Sequence, residues 1–589
     1  MKLSFLKIKL LWRKLLSVMI IFCLTTLISS CSFNNAPQNQ SRLIQAILSD
    51  PKTFNAVLSQ ESPNIFGLTY EGLVIENPLT GKIEPALAQS WTISEDKLTI
   101  IFTLKKDLKW SDGEPLTVDD VVFSYNQLYL NEEIPSNARD SLRVGQSKAL
   151  PIVEKVNNLQ VKFTIPEPFA PFLESTGLSI LPKHILAEKV TTKGKDGKPI
   201  FLSFWGVDTP PDQLIVNGAY KLKSYATSQR LIFSKNPYYW QKDENNNQLP
   251  YIEEVVWEIV ESTDTSIVQF RSGNLDSIAV SPEYFSLLKK EENRGNFTIH
   301  NGGAAYGTTF MSFNLNQGSR NGKPLIDPIK SKWFNNVNFR KAIAYGINRE
   351  RMINNIYRGL GEAQNSPISV QSPFYDSTIK GYNYDPELAK KILLQEGFKY
   401  DENERLLDNE NNEVRFTLLT NAGNRIRESL GSQIKQDLSQ IGITVDFSPI
   451  AFSVLVDKLT NSLDWEAHII GFGAGNEPNG NSNLWFPDGN LHLFNQKPQP
   501  GRPPIQGRII ADWEAKIGNL YIEGARELNF EKRKKIYDET QQLAQEYLPL
   551  IYLVNPYSLA AVRNRIGGVE YSALGGAFWN LEKLKIKQN

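Results

Sequence analysis

The chain has few of the residues that metal centres and disulfide frameworks require. Its 589 residues include two cysteines and four histidines. The histidines lie far apart without a paired metal-ligand spacing, and a disulfide framework needs more cysteines. The motifs H-E-x-x-H, C-x-x-C and G-x-S-x-G are all missing. The sequence therefore predicts no metal, no cofactor and no enzyme of these classes.

The chain also has no excess of either charge. Its 64 Lys and Arg residues balance its 64 Asp and Glu residues. A nucleic-acid partner usually requires a basic face, so we expect none. The densest basic run, "EKRKK" at 531–535, leads into a helical pattern and indicates a solvated helix face. The length and an apolar content of 41% predict a large core divided between more than one lobe or domain.

A membrane-spanning run is missing near the N-terminus, where the chain is otherwise apolar. Residues 15 through 28 form an uncharged run of fourteen residues behind five cations, whereas a spanning helix needs about 20. This pattern is typical of an export signal, predicted here over 1–30. "LISSC" resembles the bacterial lipobox, which implies a lipid on Cys31 and a polar tether over 31–40. The alternative is an ordinary signal peptide with an incidental cysteine.

Four carboxylates within "WSDGEPLTVDDVVFSY" could belong to a site or to the scaffold. Thr117 stands three residues before Asp120, which predicts a capping box at the start of a helix. Asp112 precedes a glycine, as in a turn, and Asp119 falls in the first helical turn, where the helix dipole favours it. A calcium loop would need alternating carboxylates and a distal glutamate, which this spacing lacks. We interpret the cluster as scaffold.

Strand and helix patterns are mixed along the chain, which predicts an α/β fold. "LTIIFTLK" and "LQVKFTI" alternate with period two, as half-buried strands do. Asp385 and Pro386 predict a helix start and Gly397 its end. "FRKAIAYGINRERMINNIY" places Phe339 and Ile347 on one helical stripe, together with Ile343.

Two glycine-rich loops resemble phosphate-binding loops without completing the motif. In "GGAAYGTT" Thr308 occupies the position of the required lysine, and in "GFGAGN" Asn476 replaces the third glycine. Neither loop therefore predicts a nucleotide site.

Several motifs spread over the chain resemble the extracytoplasmic solute-binding proteins of family 5, the receptors of ABC importers. They are "YEGLV", "GKIEPALAQSW", "KWSDGEPLTVDDVVFSY", "ILPKHIL", "NGAYKL", "KNPYYW", "QFRSGNLD", "FRKAIAYGINRERMI", "YDPELAKKILLQEGF" and "LPLIYLVNPYSLAAVRNRIGG". The resemblance implies a two-lobe periplasmic-binding-protein-like α/β fold with the ligand in the cleft. Lobe one would comprise 41–301, with an extra subdomain at about 82–213. Lobe two would comprise 302–544, and 545–589 would return to lobe one.

The resemblance also implies where a ligand binds. Peptide-binding members pair the peptide's amino group with an aspartate, and Ala474 occupies that position here. Two alternatives stay open: Glu477 takes over the pairing, or the ligand has no free amine. The predicted ligand-binding residues are Asn55, Ser59, Tyr306, Phe452, Gly471, Gly473, Gly475, Asn476 and Glu477.

Several of these positions have a purely structural interpretation as well. Segment 55–59 aligns near a strand that binds peptide backbone. Phe452 either lines the cleft or packs in the core, and Tyr306 faces the cleft or packs the hinge. The loop glycines let ligand approach the backbone or form a tight turn.

The sequence thus predicts an exported, lipid-anchored, monomeric receptor on the periplasmic or extracytoplasmic face of a membrane. It would capture oligopeptides and deliver them to the transmembrane subunits of an ABC permease, without catalysis. One alternative is the same role for another solute, an oligosaccharide or a metal chelate. From different classes come a ligand-sensing signalling receptor without transport and a secreted enzyme that kept the fold.

Overall fold

The structure is a computed structural model and describes residues 41–59, 64–136, 138–145, 147–260, 262–498 and 502–587. The predicted signal peptide, the lipidation of Cys31 and the tether over 31–40 lie outside the described residues.

The largest sheet is mixed and has eight strands that come from both ends of the chain. Seven of them follow in spatial order, and the eighth, Gly361–Ala363, pairs with the second. The seven are Phe297–Ala304, Val554–Arg563, Ser277–Ala279, Arg42–Ile47, Glu254–Ile259, Arg230–Lys235 and Tyr220–Ala226.

A second mixed sheet has five strands from the later half of the chain. Arg415–Asn421 and Thr444–Ile450 are parallel neighbours, and the helix Arg425–Ser439 connects them. This βαβ unit is the usual way to join parallel strands. The spatial order is Thr444–Ile450, Arg415–Asn421, Ala467–Phe472, Thr308–Phe313 and Ile551–Tyr552.

A third sheet is antiparallel and lies within the range predicted for the extra subdomain. Its strands in spatial order are Ala88–Ile93, Thr99–Leu104, Gln160–Thr164 and Ile152–Lys155. Ile100, Phe102, Val161 and Phe163 are buried, so both predicted half-buried strands are confirmed. Four strand pairs stand alone: Val74–Glu76 with Ile83–Pro85, Ser319–Arg320 with Lys323–Pro324, Lys399–Tyr400 with Leu406–Leu407, and Ile566–Gly567 with Lys585–Ile586.

Helices cover these sheets. The α-helices are Phe66–Thr69, Val118–Phe123, Ala138–Ser141, Phe172–Ser175, Lys183–Thr191, Thr263–Arg271, Pro282–Gly295, Pro328–Asn335, Val337–Gly346, Arg349–Asn355, Pro386–Gln395, Arg425–Ser439, Phe452–Asp457, Ser482–Trp485, Asp512–Arg526 and Phe530–Tyr547. π-Helical turns at Ser124–Tyr129 and Lys458–Ser462 extend two of them, and short 3₁₀ turns lie at Ile200–Ser203, Pro211–Gln213, Pro478–Asn481, Leu493–Asn495 and Leu581–Lys583.

Separate hydrophobic cores divide the molecule into two lobes. Lobe one contains the eight-stranded and four-stranded sheets, and its main core includes Phe102, Phe163 and Phe233. Lobe two contains the five-stranded sheet, and its core includes Phe313 and Phe416. The two-lobe α/β fold is therefore confirmed, whereas the residue boundaries given for the lobes and the subdomain stay a prediction.

The chain changes sheet at two places that lie side by side. It leaves the eight-stranded sheet after Ala304 and enters the five-stranded sheet at Thr308, and it returns between Tyr552 and Val554. The Leu553 amide donates to the Thr309 carbonyl at 2.9 Å, and the Ala305 amide donates to the Pro556 carbonyl at 2.8 Å. We name these two passages, 304–308 and 552–554, the hinge, because segments that connect two lobes are where hinge motions are generally located.

The carboxylates of "WSDGEPLTVDDVVFSY" belong to the scaffold. Asp120 is buried and accepts a hydrogen bond from the Thr117 amide at 2.8 Å, so the predicted capping box is confirmed. Its second oxygen accepts from the Lys183 amide at 3.0 Å, so one carboxylate caps two helices. Asp112 contacts His184 and Asp119 contacts Lys155, each at 2.9 Å.

One predicted helix is confirmed and another is divided. Asp385 caps the helix Pro386–Gln395, and Gly397 follows it with a φ of 87°. The stripe that includes Phe339 and Ile347 is buried but not continuous, because Asn348 interrupts the helix. Its side chain accepts from the Arg351 amide at 2.8 Å and starts a second helix.

Two buried arginines connect separate segments of lobe two by hydrogen bonds to backbone carbonyls, and one of them contacts the hinge. The Arg340 guanidinium donates to the carbonyl oxygens of Phe334 and Tyr547, the latter the last residue of the helix Phe530–Tyr547. Arg349 donates to the Tyr552 carbonyl at 2.7 Å, beside the hinge. Burial lowers the pKa of both arginines to about 10, and both remain cationic at neutral pH.

We expect Arg340→Met to lower the free energy of unfolding of lobe two by roughly 3 kcal/mol, since it leaves buried carbonyls without donors. Urea unfolding followed by circular dichroism measures the change. Arg425→Met, at an exposed arginine that starts another lobe-two helix, is the control. Equal effects of the two substitutions would contradict the capping role of Arg340.

Candidate functional site

A cavity of about 820 Å³ lies between the two lobes. Lobe one contributes the hairpin at 74–83 and the segments 141–148 and 169–178, whereas lobe two contributes the loop 475–490 and the helix Asp512–Arg526. The volume falls in the range of cavities that enclose a small ligand. The apolar lining residues include Val74, Ile75, Ile83, Phe169, Pro171, Leu178, Phe486 and Ile522.

The lobe-one hairpin reaches across to lobe two. Its turn contains Gly81, which has a φ of 67° and lies so close to Asn476 that a Cβ would approach the Asn476 amide nitrogen to 2.8 Å. A side chain at this position would be strained by the left-handed backbone and would displace the Asn476 side chain. On the adjacent strand, Glu76 accepts a hydrogen bond from Asn476 Nδ2 at 2.8 Å.

The lobe-two wall begins directly after the strand Ala467–Phe472. Glu477 caps the 3₁₀ turn Pro478–Asn481 by accepting from the Asn479 amide at 2.9 Å. The same oxygen accepts from Arg533 Nη2 at 2.6 Å. Desolvation acts to lower the pKa of Arg533, but the Glu477 carboxylate outweighs it and leaves that pKa raised.

Glu174 brings a third carboxylate to the cavity. Its side chain is open to the cavity space, while the surrounding protein partly desolvates it. Burial raises the pKa of Glu174 to about 7; the carboxylates of Glu477 and Glu76 add to this rise, and Arg533 opposes it. In the described part of the chain, the Glu174 carboxylate accepts no hydrogen bond.

Cationic residues line another part of the same cavity. Arg143 donates to the Lys148 carbonyl at 3.0 Å, and Lys148 Nζ lies 3.5 Å from an Asp488 oxygen of lobe two. The cavity thus offers charges of both signs around an apolar lining.

The lobes are closed on each other in this structure. Arg526 of lobe two forms a salt bridge with Glu167 of lobe one. Next to it, the Ala170 amide donates to the Ala525 carbonyl at 2.7 Å. Together with the contact between Asn476 and the lobe-one hairpin, these bonds join both lobes around the cavity.

Part of the loop suggested by the sequence lies at the cavity. Gly475 and Glu477 line it, and Asn476 packs directly behind them. An added Cβ at Gly473 or Gly475 would meet nothing within 4 Å, so both leave backbone accessible. Gly471 lies in a strand, against the Thr308 carbonyl.

The remaining candidates lie away from the cavity lining. Residues 55–59 form a turn and not a strand, and the buried Asn55 side chain is engaged with the backbone of Phe201, Phe204 and Val57. Ser59 is half-buried in the same segment.

Tyr306 is buried near the hinge, its hydroxyl 3.5 Å from the Gln371 carbonyl. The Phe452 side chain is 59% exposed, so neither the cleft nor the core encloses it. Ligand binding by these residues stays a prediction.

Sequence reasoning missed four charged residues at the cavity: Glu76, Glu174, Arg143 and Lys148. None of them belongs to a recognisable motif. Only their position on the segments that face lobe two brings them together.

The described residues contain no group of three or more His, Cys, Asp or Glu side chains arranged so that they could hold a metal ion. They also contain no helix long and apolar enough to cross a membrane.

Comparison with known proteins identifies similar molecules along most of the chain. The sequence model of the bacterial extracellular solute-binding proteins, family 5, matches residues 82–491. A protein of Deinococcus radiodurans described as a probable ABC transporter-binding protein is 31% identical over 549 residues, which cover 89% of this chain and 88% of that protein.

Solved structures share the fold. The oligopeptide-binding protein AppA of Bacillus subtilis, solved with a nonapeptide, superposes with a TM-score of 0.69 at 22% identity and covers 93% of this chain and 99% of its own. MelB of Agrobacterium fabrum, solved with stachyose, gives a TM-score of 0.72 at 20% identity and covers 93% of this chain and 85% of its own.

The raised pKa of Glu174 predicts a pH-dependent stability difference. The folded protein holds this proton more tightly than the unfolded chain between about pH 4.5 and pH 7, so the contribution of Glu174 to stability falls as the pH rises through that window. We expect Glu174→Gln to raise the melting temperature relative to wild type at pH 8 and to change it little at pH 4.5.

Differential scanning calorimetry at both pH values measures this difference. The control is Glu95→Gln, at an exposed carboxylate in lobe one. If Glu174→Gln changed the melting temperature by the same amount at both pH values, the raised pKa of Glu174 would be contradicted.

Proposed function

The chain belongs to the bacterial extracellular solute-binding proteins of family 5, the solute receptors of ABC importers, and from this premise we propose that it captures peptides outside the cytoplasmic membrane. It delivers them to the transmembrane subunits of an ABC permease and carries out no catalysis. Because family members act by enclosing a solute between two lobes, the cavity between the lobes is the proposed binding site.

The observation that carries the peptide assignment is the combination of charges in that cavity. A peptide is a zwitterion with an ammonium group at one end and a carboxylate at the other. The cavity offers carboxylates in Glu174 and Glu76 and cations in Arg143 and Lys148, with apolar side chains around them. Complementary charges compensate for the desolvation of a buried zwitterion.

The backbone of lobe two supports the same proposal. Gly475, which lines the cavity, has no side chain to block the main chain, and nothing lies within 4 Å of where its Cβ would be. Exposed main-chain groups bind the backbone of an extended peptide whatever its side chains are. The cavity volume of about 820 Å³ favours short peptides.

A neutral oligosaccharide fits this cavity less well. It would desolvate the cavity charges without supplying a counter-charge, which costs free energy. MelB nevertheless shows that the fold accommodates a sugar, since it was solved with stachyose. The sugar alternative therefore belongs in the test.

We expect the full-length protein, purified in detergent, to release short peptides when it is denatured after native mass spectrometry. Added di- to pentapeptides should raise the melting temperature, because a ligand that binds only the folded state stabilises it. Stachyose and nickel–histidine are the matched non-peptide probes.

Stabilisation by stachyose or nickel–histidine but not by peptides would contradict the peptide assignment. Peptide binding together with unchanged peptide uptake in a deletion strain would contradict transport and favour the signalling alternative.

Membrane attachment is proposed to depend on Cys31. The lipid on its sulfur, and not a basic surface, would hold the receptor at the membrane. We expect Cys31→Ala to move the protein from the membrane fraction into the soluble fraction after export. Immunoblots of the two fractions measure this, with Cys23→Ala as the matched control. Retention of the Cys31→Ala protein in the membrane would contradict the lipoprotein assignment.

A further inference from the structure

The three carboxylates of the cavity differ in how the protein engages them. Glu477 accepts two hydrogen bonds, from the Asn479 amide and from Arg533. Glu76 accepts one from the Asn476 side chain. Glu174 has no such donor among the described residues, although it opens into the same cavity. Of the three, Glu174 is therefore the carboxylate that accepts no hydrogen bond from the described residues and keeps its acceptor positions open to a ligand.

The backbone fixes the position of Glu174 before any ligand arrives. The residue lies on the short helix Phe172–Ser175, where Phe172 is fully buried. On its other side, Ser175 Oγ donates to the Ser141 carbonyl at 2.8 Å, and Thr176 is fully buried. A carboxylate on such an anchored turn loses little backbone freedom when it binds a ligand.

The surroundings of Glu174 favour a cation. The two neighbouring carboxylates, Glu477 and Glu76, repel the negative charge of Glu174. The nearby cation Arg533 is already bound by Glu477. A cationic ligand group at Glu174 would relieve the repulsion among all three carboxylates. An ammonium group suits this place, since it has three donors to share among several acceptors.

We propose that Glu174 pairs with the N-terminal ammonium of the bound peptide and makes the receptor selective for peptides with a free amino terminus. This inference rests on the proposed function. It places the counter-charge in lobe one, opposite the lobe-two loop in which Ala474 lies. In the closed structure Glu477 and Arg533 of lobe two also act electrostatically on this site.

Three tetrapeptide libraries test the proposal. The first has free amino termini and is built from Ala, Leu, Phe and Ser. The second is the same library after N-acetylation, and the third is N-acetylated and carries one Lys in each peptide. Apparent dissociation constants come from the intrinsic tryptophan fluorescence of the full-length protein in detergent.

We expect wild type to bind the free library at least about tenfold more tightly than the acetylated library. Glu174→Gln should bind the free library as weakly as wild type binds the acetylated one, and Glu174→Asp should recover part of the preference. Glu84→Gln, on the neighbouring hairpin strand Ile83–Pro85, should behave as wild type.

The outcomes separate this inference from the proposed function. Wild type that binds the free and acetylated libraries equally, or Glu174→Gln that keeps the preference, overturns the role of Glu174 and leaves peptide capture intact. Glu174-dependent binding of the acetylated Lys library at the strength of the free library also overturns it, because the carboxylate then binds side chains. Wild type that binds none of the libraries overturns both.

Discussion

Two adjacent backbone passages connect the lobes, and the geometry of the cavity depends on them. The Leu553 amide bonds to Thr309 and the Ala305 amide to Pro556, so the outgoing and returning chains form one hydrogen-bonded ribbon. A small rotation there would change the separation of the far walls, because each lobe has its own core. Arg349 binds the Tyr552 carbonyl and thereby ties this ribbon to the lobe-two helices.

The cavity is completed by contacts that exist only when the lobes are closed. The hydrogen bond from Asn476 to Glu76 and the salt bridge from Arg526 to Glu167 both cross the cleft. Closure also places the carboxylate of Glu174 beside groups of lobe two. There desolvation and repulsion by the Glu477 carboxylate raise its pKa. A ligand that supplies the opposite charge therefore favours the closed state, which is how a binding free energy shifts a conformational equilibrium.

The sequence predicted the features that depend on neighbouring residues. The capping box of Thr117 and Asp120 and the N-cap at Asp385 use partners within three positions, and both are present. The second role of Asp120, at Lys183, needs a partner 63 positions away and could not be read locally. The same limit hid Glu174, because its environment is created by lobe-two residues about 300 positions later in the chain.

Resemblance to a family supplied what local patterns could not, within limits. It indicated the two lobes and the loop around Glu477, which does line the cavity. It could not show that Arg533 already donates a hydrogen bond to this carboxylate. Nor could it show that Asn55 lies in a turn, where its side chain is hydrogen-bonded to backbone groups. Such details depend on how the side chains of this particular chain pack.

A crystal structure of the protein with a free-amine tetrapeptide tests the central claim most directly. The account predicts peptide density in the cavity between the hairpin at 74–83 and the loop 475–490, with the amino nitrogen within hydrogen-bond distance of the Glu174 carboxylate. Density for the peptide outside this cavity would contradict the assignment of the site. A peptide inside it whose amino nitrogen lies away from Glu174 would contradict the mode of recognition.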